Sequence, residues 1–534
     1  MAVTAPKNNL RCVEVPPLSG KKVWLWIIAV LLLTGCGYEN PDDYKTLEES
    51  EDESFLQEAV YDVPYEKPSS LPGVLVDRNG YETESEKIAL FRGKGLSQEF
   101  AVVNQETKQV VYKGKIQKAA YNEINNEYIS KGVFTDLTEP GTYYIETSVI
   151  GQSYPFEIKE DIYRQVYSDV LDSFYYHRCG TDLNGAVEVN NHRPCHLGAT
   201  KLQGTDTVIA SQGGWHTGSN FEKDVVEGTK IVSDLLLAYE YIPEKESSEE
   251  RVEENSRLRA KLLNEVVFEM KWLLAMQDEN SGGVYAGVFP EKETEITDPE
   301  ADKGAYYVKD ISMEATAEFS AIMAQFARIY SIYEEEFSDI CLKASETAYA
   351  YVERYSELDD LQYYATAELY KTTGNEKYHN KLKQYWALKQ PKENSRFSRK
   401  LYGDIAYLTC KQKVDMEICS RLMDEMMEKA EDLAATSRKD VYMVWTDGNR
   451  RSAGLILENS FSLAMIDSIV TSHEYLGIME NQLHYLFGRN EDGVVMVTGK
   501  GILDHTDEGK EYQLHLQSTL IFILHEIIER EAEE

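Results

Sequence analysis

The chain is short of positive charge. Its 534 residues include 55 lysines and arginines against 92 aspartates and glutamates, which gives a formal net charge of −37 at pH 7. Proteins that bind nucleic acid or anionic lipid headgroups carry a basic surface, and this composition argues against one. The charge suits a neutral ligand such as a glycan, and a solubilising surface explains it equally well. We therefore expect no nucleic acid partner.

Cysteine is also scarce. There are seven cysteines, and Cys12 and Cys36 lie close to the N-terminus. The other five are scattered along the rest of the chain: Cys179, Cys195, Cys341, Cys410 and Cys419. Five scattered cysteines in a chain of this size do not resemble a disulfide framework, which is typical of small secreted domains.

The apolar run near the N-terminus is too short to cross a bilayer as a helix. It extends from Val23 to Leu33 and follows the pair Lys21-Lys22, a pattern typical of an export signal. The run ends in Leu-Thr-Gly-Cys36, which resembles a bacterial lipobox, whose cysteine is lipidated. An uncleaved anchor and a chance match are the alternatives. We predict a lipoprotein signal peptide over residues 1–36 and a bacterial protein that is exported, either lipid-anchored at the cell membrane or extracellular.

Two further segments precede the largest part of the chain. Residues 37–67 are acidic and poor in apolar residues, so they read as a linker that cannot bury enough surface to fold. Residues 68–160 show short alternating strands separated by turns, which predicts an immunoglobulin-like β-sandwich. Tyr143, just after the turn at Glu139-Pro140-Gly141, is placed to form a tyrosine corner. No catalytic constellation is visible in this domain.

From residue 161 to residue 534 the apolar periodicity is that of helices. Met313–Tyr330 and Leu361–Thr372 are examples, and Tyr512–Glu529 is expected to be the last helix. Helical hairpins over this length fit a closed α/α toroid or a solenoid. No repeat of fixed period is visible, which disfavours the solenoid. The fold class predicted for the whole chain is therefore multidomain: a β-sandwich followed by an all-α (α/α)6 barrel.

Seven sequence strings, spread over this whole region, carry a family resemblance. They are Ser153–Gly180, His192–Leu197, Gly213–His216, Leu273–Tyr285, Ala315–Tyr330, Ala365–Tyr378 and Asn481–Gly501. In this order they resemble glycoside hydrolase family 9, the family of cellulases and endoglucanases, in the subgroup with an N-terminal immunoglobulin-like domain. The resemblance implies an (α/α)6 barrel with an open cleft at one end.

Two thiols and two imidazoles form a candidate metal site. Cys179, Cys195, His196 and His216 are the donor set of a closed, tetrahedral structural Zn²⁺ site. The residues alone also allow a Cys179–Cys195 disulfide and two unrelated histidines. The four positions match those that bind a structural zinc in the family subgroup, so the resemblance implies zinc that pins the following loop. The sequence does not decide whether calcium binds.

The loop that follows His216 departs from the family. The string GGWHTGSN, Gly213–Asn220, stands where the family has a pattern close to GGWHDAGD. The two aspartates of that pattern position and deprotonate the attacking water. Thr217 and Asn220 occupy their positions, and a neutral hydroxyl or amide cannot take a proton from water near pH 7. These two substitutions predict that the base of the inverting reaction is lost.

The catalytic acid of the family is a glutamate at the start of the last helix. An ungapped count back from the final apolar run places Glu511 there, although a carboxylate at a helix N-terminus is also favoured by the helix dipole. The histidine-rich family loop that grips sugar is reduced to Lys500–Lys510 with a lone His505. Ala286 stands where a further histidine is expected. These differences from the family lie at positions that the resemblance assigns to the centre of the cleft.

Two carboxylates follow the altered loop. Glu222 or Asp224 would serve as a substitute base if the loop were shifted, and both also fit ordinary surface charges. By descent the partner is a β-1,4-glucan or a related polysaccharide or oligosaccharide, and membrane contact is expected only through the lipid anchor.

Three functions remain open. The first is polysaccharide hydrolysis, inverting by family, with Glu511 as the acid. The second is a non-catalytic glycan-binding lipoprotein, and a weaker third is a purely structural envelope protein. The missing carboxylates favour binding over catalysis.

Overall fold

The computed structural model describes residues 65–183, 192–242, 249–293, 298–355, 359–388, 396–470, 474–506 and 509–533. The predicted signal peptide, Cys36 and the acidic segment up to residue 64 lie outside these ranges. Within the described part of the chain, no helix combines the length and the apolar character needed to cross a membrane.

Two antiparallel sheets form the N-terminal sandwich. Their strands are β1 (Val74–Leu75), β2 (Ile88–Arg92), β3 (Glu99–Asn104), β4 (Val110–Lys115), β5 (Ala120–Asn122), β6 (Glu127–Val133), β7 (Gly141–Thr147), β8 (Gly151–Gln152) and β9 (Phe156–Ile158). One sheet has the order β1-β2-β6-β5, and the other has the order β4-β3-β7-β8 with β9 also paired to β7. The predicted immunoglobulin-like sandwich is confirmed.

Alternation along the strands builds the core of the sandwich. Phe100 and Val102 of β3 point inward, and Phe91 of β2 meets them with its ring centroid 5.2 Å from that of Phe100. The hydroxyl of Tyr143 donates to the carbonyl oxygen of Glu139 at 2.8 Å. That bond to the backbone four residues upstream is the predicted tyrosine corner, and it fixes the turn into β7.

Twelve helices follow in the described residues. They are α1 (Ile162–Tyr176), α2 (Val225–Tyr241), α3 (Glu249–Ala275), α4 (Met313–Tyr330), α5 (Glu335–Tyr355), α6 (Asp360–Thr373), α7 (Glu376–Trp386), α8 (Lys400–Leu408), α9 (Met416–Lys439), α10 (Ala453–Asp467), α11 (Leu476–Leu486) and α12 (His515–Glu533). The even-numbered helices form an inner ring, in which α12 packs on both α10 and α2, and α4 and α6 continue from α2 to α8. The odd-numbered helices lie outside them. The predicted (α/α)6 barrel is confirmed.

The inner helices begin at one end of the barrel, and side chains cap several of them there. Asp224, Ser312, Asp359 and Ser452 each accept hydrogen bonds from backbone N–H groups in the first turns of α2, α4, α6 and α10. These caps satisfy donors that a helix leaves unpaired. They also gather polar side chains at the end of the barrel where the altered loop lies.

A buried carboxylate ties three inner helices together. Asp234 of α2 is fully buried and accepts hydrogen bonds from Ser518 and Thr519 of α12, at 2.9 and 3.1 Å, and from the hydroxyl of Tyr402 on α8 at 2.6 Å. Lys230, one turn earlier on α2, forms an ion pair with the Asp234 carboxylate. A buried charge is tolerated only when it is paired in this way, so the network fixes the closure of the ring.

The helical part also contains two small sheets, which the sequence prediction missed. The larger has the order β11-β10-β14-β13-β12, and the smaller has the order β15-β16-β17. Their bounds are β10 (Thr200–Leu202), β11 (Val208–Ile209), β12 (Lys223–Asp224), β13 (Val284–Pro290), β14 (Tyr306–Ser312), β15 (Val497–Thr498), β16 (Gly501–Thr506) and β17 (Gly509–Gln513). Both sheets connect to the N-termini of inner helices. Of the segment Lys500–Lys510, expected as a short loop, residues 501–506 lie in β16 and residues 509–510 in β17.

The sandwich is joined to the barrel by buried polar contacts. Asp77 Oδ2 lies 2.8 Å from Nδ1 of His484, and both side chains are almost completely buried. The guanidinium of Arg451, at the start of α10, forms an ion pair with Asp440 and donates to Asn122 of β5 at 3.2 Å. These contacts hold the sandwich against the last third of the barrel.

Candidate functional site

Two chain segments meet at the centre of the candidate site. The residues just after α1 run antiparallel to the segment that begins at Gly213, because Cys179 N–H donates to the Gly214 carbonyl and His216 N–H donates to the His177 carbonyl, both at 2.8 Å. This pairing brings Cys179 beside His216 although 37 positions separate them.

The four predicted metal ligands come together. Cys179 Sγ lies 3.8 Å from His196 Nδ1, Cys195 Sγ lies 3.7 Å from His216 Nε2, and the two imidazole nitrogens are 3.2 Å apart. All four donor atoms lie within 4.8 Å of one another, and both thiols are free. Bond lengths of about 2.3 Å to sulfur and about 2.05 Å to nitrogen place tetrahedral zinc ligands about 3.3–3.8 Å apart. The donor set therefore fits a tetrahedral ion.

The electrostatics of the cluster favour a thiolate. The pKa of Cys179 is lowered, first by a hydrogen bond from the neighbouring thiol of Cys195 and then by the imidazoles of His196 and His216. A thiolate is the form that binds metal. Burial lowers the pKa of His216, which keeps that imidazole neutral and able to donate its lone pair.

A second set of contacts orients one ligand. Nε2 of His196, the nitrogen that faces away from the thiols, lies 3.2 Å from Oδ2 of Asp302. The hydroxyl of Tyr306 lies 2.6 Å from the same oxygen and 2.9 Å from the carbonyl oxygen of Asn220. A carboxylate on the far nitrogen of a ligating histidine fixes the orientation of the ring. Here the same chain of contacts also reaches the altered loop.

Buried charged groups hold the segment that precedes the loop. Lys223 Nζ donates to the carbonyl oxygen of Ser211 and, at 2.7 Å, to that of Gly213. Glu269 of α3 accepts the N–H of Trp215 at 2.9 Å, and burial raises the pKa of Glu269 to about 8. Gly214 has a φ of +77° and lies against the ring of Trp272, where a Cβ would come within 2.6 Å of the ring. Only glycine fits there.

Thr217 has a structural role in the loop. Its N–H and its hydroxyl both donate to the carbonyl oxygen of Glu222, at 2.9 and 3.2 Å. The same hydroxyl accepts the N–H of Asp224 at 3.0 Å. Thr217 thus closes the turn with uncharged groups. It offers no carboxylate where the family pattern has aspartate.

Asp224 is engaged in two other ways. It is the N-cap of α2, accepting from Val226 N–H at 2.8 Å and Glu227 N–H at 3.3 Å. Its other oxygen accepts from both guanidinium nitrogens of Arg396, at 3.0 and 3.1 Å. One oxygen of this carboxylate is therefore engaged by the helix cap and the other by Arg396. The structure therefore disfavours Asp224 as a substitute base.

The carboxylate of Glu222 lies within the loop itself. Its Oε2 accepts the N–H of Asn220 at 2.9 Å, and the side chain folds over Gly218. Burial raises the pKa of Glu222, and the negative charges of Asp224 and Glu227 raise it further. Of the two substitute carboxylates expected from the sequence, this is the one that lies inside the loop.

The predicted start of the last helix, beside Glu511, was wrong. Glu511 lies in β17, opposite Asp504 of β16, and the last helix begins four residues later at His515. Tyr512, expected to begin that helix, also belongs to the strand. The role of Glu511 as the acid stays a prediction. Ala286 lies in β13, where the family histidine was expected.

His515 and Glu227 form a contact close to the altered loop, and neither residue was predicted from the sequence as part of the site. His515 Nδ1, at the first residue of α12, lies 2.7 Å from Glu227 Oε2, and Arg396 lies 3.4 Å from the other oxygen of that carboxylate. Burial opposes ionisation of Glu227, but His515 and Arg396 outweigh it and lower its pKa. The spacing Asp224-x-x-Glu227, a capping pattern, was the available signal.

We expect the Asp224 side chain to stabilise the folded protein. Asp224→Ala removes the cap of α2 and leaves Arg396 without its closest partner, and loss of a cap alone costs about 0.5–2 kcal/mol. Asp224→Asn keeps a good cap and removes only the charge. Urea denaturation should therefore give a lower free energy of unfolding for the alanine variant than for the asparagine variant. Equal values for both variants and the unchanged protein would contradict this assignment.

Comparison with known proteins agrees with the geometry. The family model for Glycosyl hydrolase family 9 matches residues 163–507, and the model for the Cellulase N-terminal ig-like domain matches residues 70–152. Endoglucanase D of Acetivibrio thermocellus is 24% identical over 442 residues, covering 75% of this chain and 69% of that protein. The Xyloglucan-specific endo-beta-1,4-glucanase BoGH9A of Bacteroides ovatus is 24% identical over 475 residues, covering 80% of each.

Solved structures share the fold. AaCel9A in complex with cellobiose-like isofagomine superimposes with a TM-score of 0.75 at 23% identity, covering 86% of this chain and all of that one. A Zn-binding triple mutant of the family 9 endoglucanase J30 gives a TM-score of 0.71 at 21% identity, covering 84% of this chain and 99% of that one. The sandwich, the twelve-helix barrel and the family matches lead to one conclusion: the chain belongs to glycosyl hydrolase family 9.

Proposed function

We propose that the protein takes a β-1,4-glucan or a related polysaccharide into the cleft end of its barrel and hydrolyses it with altered machinery. Relatives named as endoglucanases, one of them specific for xyloglucan, support this substrate class. The observation that carries the proposal is the loop from Gly213 to Asp224, which is anchored at both ends and still holds a carboxylate, that of Glu222.

A specific observation favours a second candidate, a non-catalytic glycan binder. Thr217 and Asn220 stand at the two base positions of the family, and the polar groups of Thr217 are used within the turn. An inverting hydrolase needs an acid and a base about 6.5–9.5 Å apart with water between them. If no other group took over the base, the cleft would hold a sugar chain without cleaving it.

The two candidates differ in turnover. We expect the purified full-length protein to release reducing sugar from at least one member of a panel of soluble β-glucan, xyloglucan, xylan and mannan. Glu511→Gln should lower the rate by about 10²- to 10⁴-fold if Glu511 is the acid, because general acid–base groups contribute about that much. An unchanged rate would remove Glu511 from the mechanism. No release from either protein, with saturable calorimetric binding of cello-oligosaccharides, would instead establish the binder.

We also propose that Cys179, Cys195, His196 and His216 hold one structural Zn²⁺. The donor distances, the free thiols and the orienting contact of Asp302 support this, and a similar fold is named as Zn-binding. A closed site with four protein ligands leaves no open position for substrate, so its role would be to fix the altered loop rather than to react.

Zinc loading gives a direct test of that site. Elemental analysis of the purified protein should give about one zinc per chain, and chelation should lower its melting temperature. Cys195→Ser should remove the zinc and most of the effect of the chelator. Cys410→Ser, which changes a half-buried thiol in another part of the barrel, is the matched control and should keep both. A metal-free protein with a Cys179–Cys195 disulfide would overturn the assignment.

We further propose that the protein is exported and anchored through lipid on Cys36. The support is the sequence pattern alone, since this residue lies outside the described ranges. Expression in a bacterium fed an alkyne-labelled fatty acid should label the protein and place it in the membrane fraction, where a diacyl anchor is stable. Cys36→Ser should lose the label and leave the membrane. An unlabelled parent protein would contradict the proposal.

A further inference from the structure

The side chain of Glu222 occupies space that a larger residue at position 218 would fill. A Cβ added to Gly218 would overlap the Glu222 carboxylate, with Oε1 and Cδ as its nearest neighbours. Gly218 does not have the positive φ that would itself demand glycine, unlike Gly213 and Gly214 nearby. The absence of a Cβ at position 218 therefore leaves room for the Glu222 carboxylate and is not required by the backbone conformation.

The loop differs from the family pattern at four positions, 217 to 220, and three of these differences bear on Glu222. The pattern close to GGWHDAGD has carboxylates at the positions of Thr217 and Asn220, and it has alanine at the position of Gly218. This chain lacks both carboxylates and lacks the Cβ that would exclude the side chain of Glu222. The Glu222 carboxylate lies where that Cβ would be, and it accepts a hydrogen bond from the backbone N–H of Asn220, one of the two positions without a carboxylate.

We propose that Glu222 is the general base of this cleft and replaces the aspartates that the loop has lost. This inference rests on the proposed hydrolysis. Glu222 would take a proton from a water molecule whose oxygen attacks the anomeric carbon. The bond from that carbon to the leaving sugar oxygen breaks, and the leaving oxygen takes a proton from the general acid. The products are an alcohol and a hemiacetal of inverted configuration, and both carboxyl groups recover their protonation states by exchange with solvent.

The surrounding charges suit this role. Asp224 and Glu227 both form ion pairs with Arg396, and Glu227 also forms one with His515. In the part of the chain that the structure describes, no lysine, arginine or histidine forms an ion pair with Glu222. Burial and the two neighbouring carboxylates raise its pKa, and a base with a raised pKa accepts a proton more readily.

An aryl glycoside isolates the base from the acid. 2,4-Dinitrophenyl β-cellobioside has a leaving group that departs without protonation, so its hydrolysis depends on the base and not on Glu511. With the full-length protein, Glu222→Gln should lower kcat on this substrate by about 10²- to 10⁴-fold. Glu511→Gln should leave it within a few-fold. Glu99→Gln, which removes an exposed glutamate from β3 of the sandwich, is the control for the lost charge.

Gly218→Ala provides a second test that leaves Glu222 in place. The added methyl group should displace the carboxylate and lower kcat on the aryl glycoside at least tenfold, while the melting temperature and zinc content stay close to those of the parent. For the parent, kcat should rise with pH through an apparent pKa above that of an ordinary glutamate. That titration should be lost in Glu222→Gln.

The outcomes separate this inference from the proposed function. Turnover by the parent that survives in both Glu222→Gln and Gly218→Ala would overturn the assignment of the base and leave hydrolysis standing. Loss of turnover in Asp224→Asn alone would move the base to Asp224. No turnover of the aryl glycoside by the parent, with calorimetric binding of cellotetraose intact, would overturn both hydrolysis and the base, leaving a binder.

Discussion

The rest of the site depends on how the loop from Gly213 to Asp224 is held. At one end, the Cys₂His₂ cluster and the antiparallel pairing with the residues after α1 fix His216. At the other end, Asp224 caps α2 and forms an ion pair with Arg396. Only residues 217–223 lie between these two anchors. The volume of the side chain at position 218 therefore decides whether the Glu222 carboxylate fits inside the loop.

The residues that close the barrel are different from those of the altered loop. The barrel is closed by the buried Asp234 network and by capped inner helices, none of which involves the altered positions. The aspartates of the family could therefore be lost without loss of the fold. The contacts from His196 through Asp302 and Tyr306 to Asn220 link the candidate metal site to the loop.

Apolar periodicity predicted the helices well where one face is buried. Met313–Tyr330 was predicted at its observed bounds, because apolar residues recur along it at helical spacing and Ser312 caps its start. The hairpin of β16 and β17 was missed, because Tyr512 and its neighbours extend the helical pattern past the true start at His515. The position of the Glu222 carboxylate could not be predicted either. It depends on the space over Gly218, which exists only once the turn at Thr217 is folded.

Whether the carboxylate of Glu222 replaces the aspartates of the family can be seen in a crystal structure of the protein with a bound cello-oligosaccharide. We expect a water molecule within hydrogen-bond distance of a Glu222 carboxylate oxygen, on the face of the anomeric carbon opposite the glycosidic oxygen. A sugar chain bound in the cleft with no water between Glu222 and the anomeric carbon would contradict it.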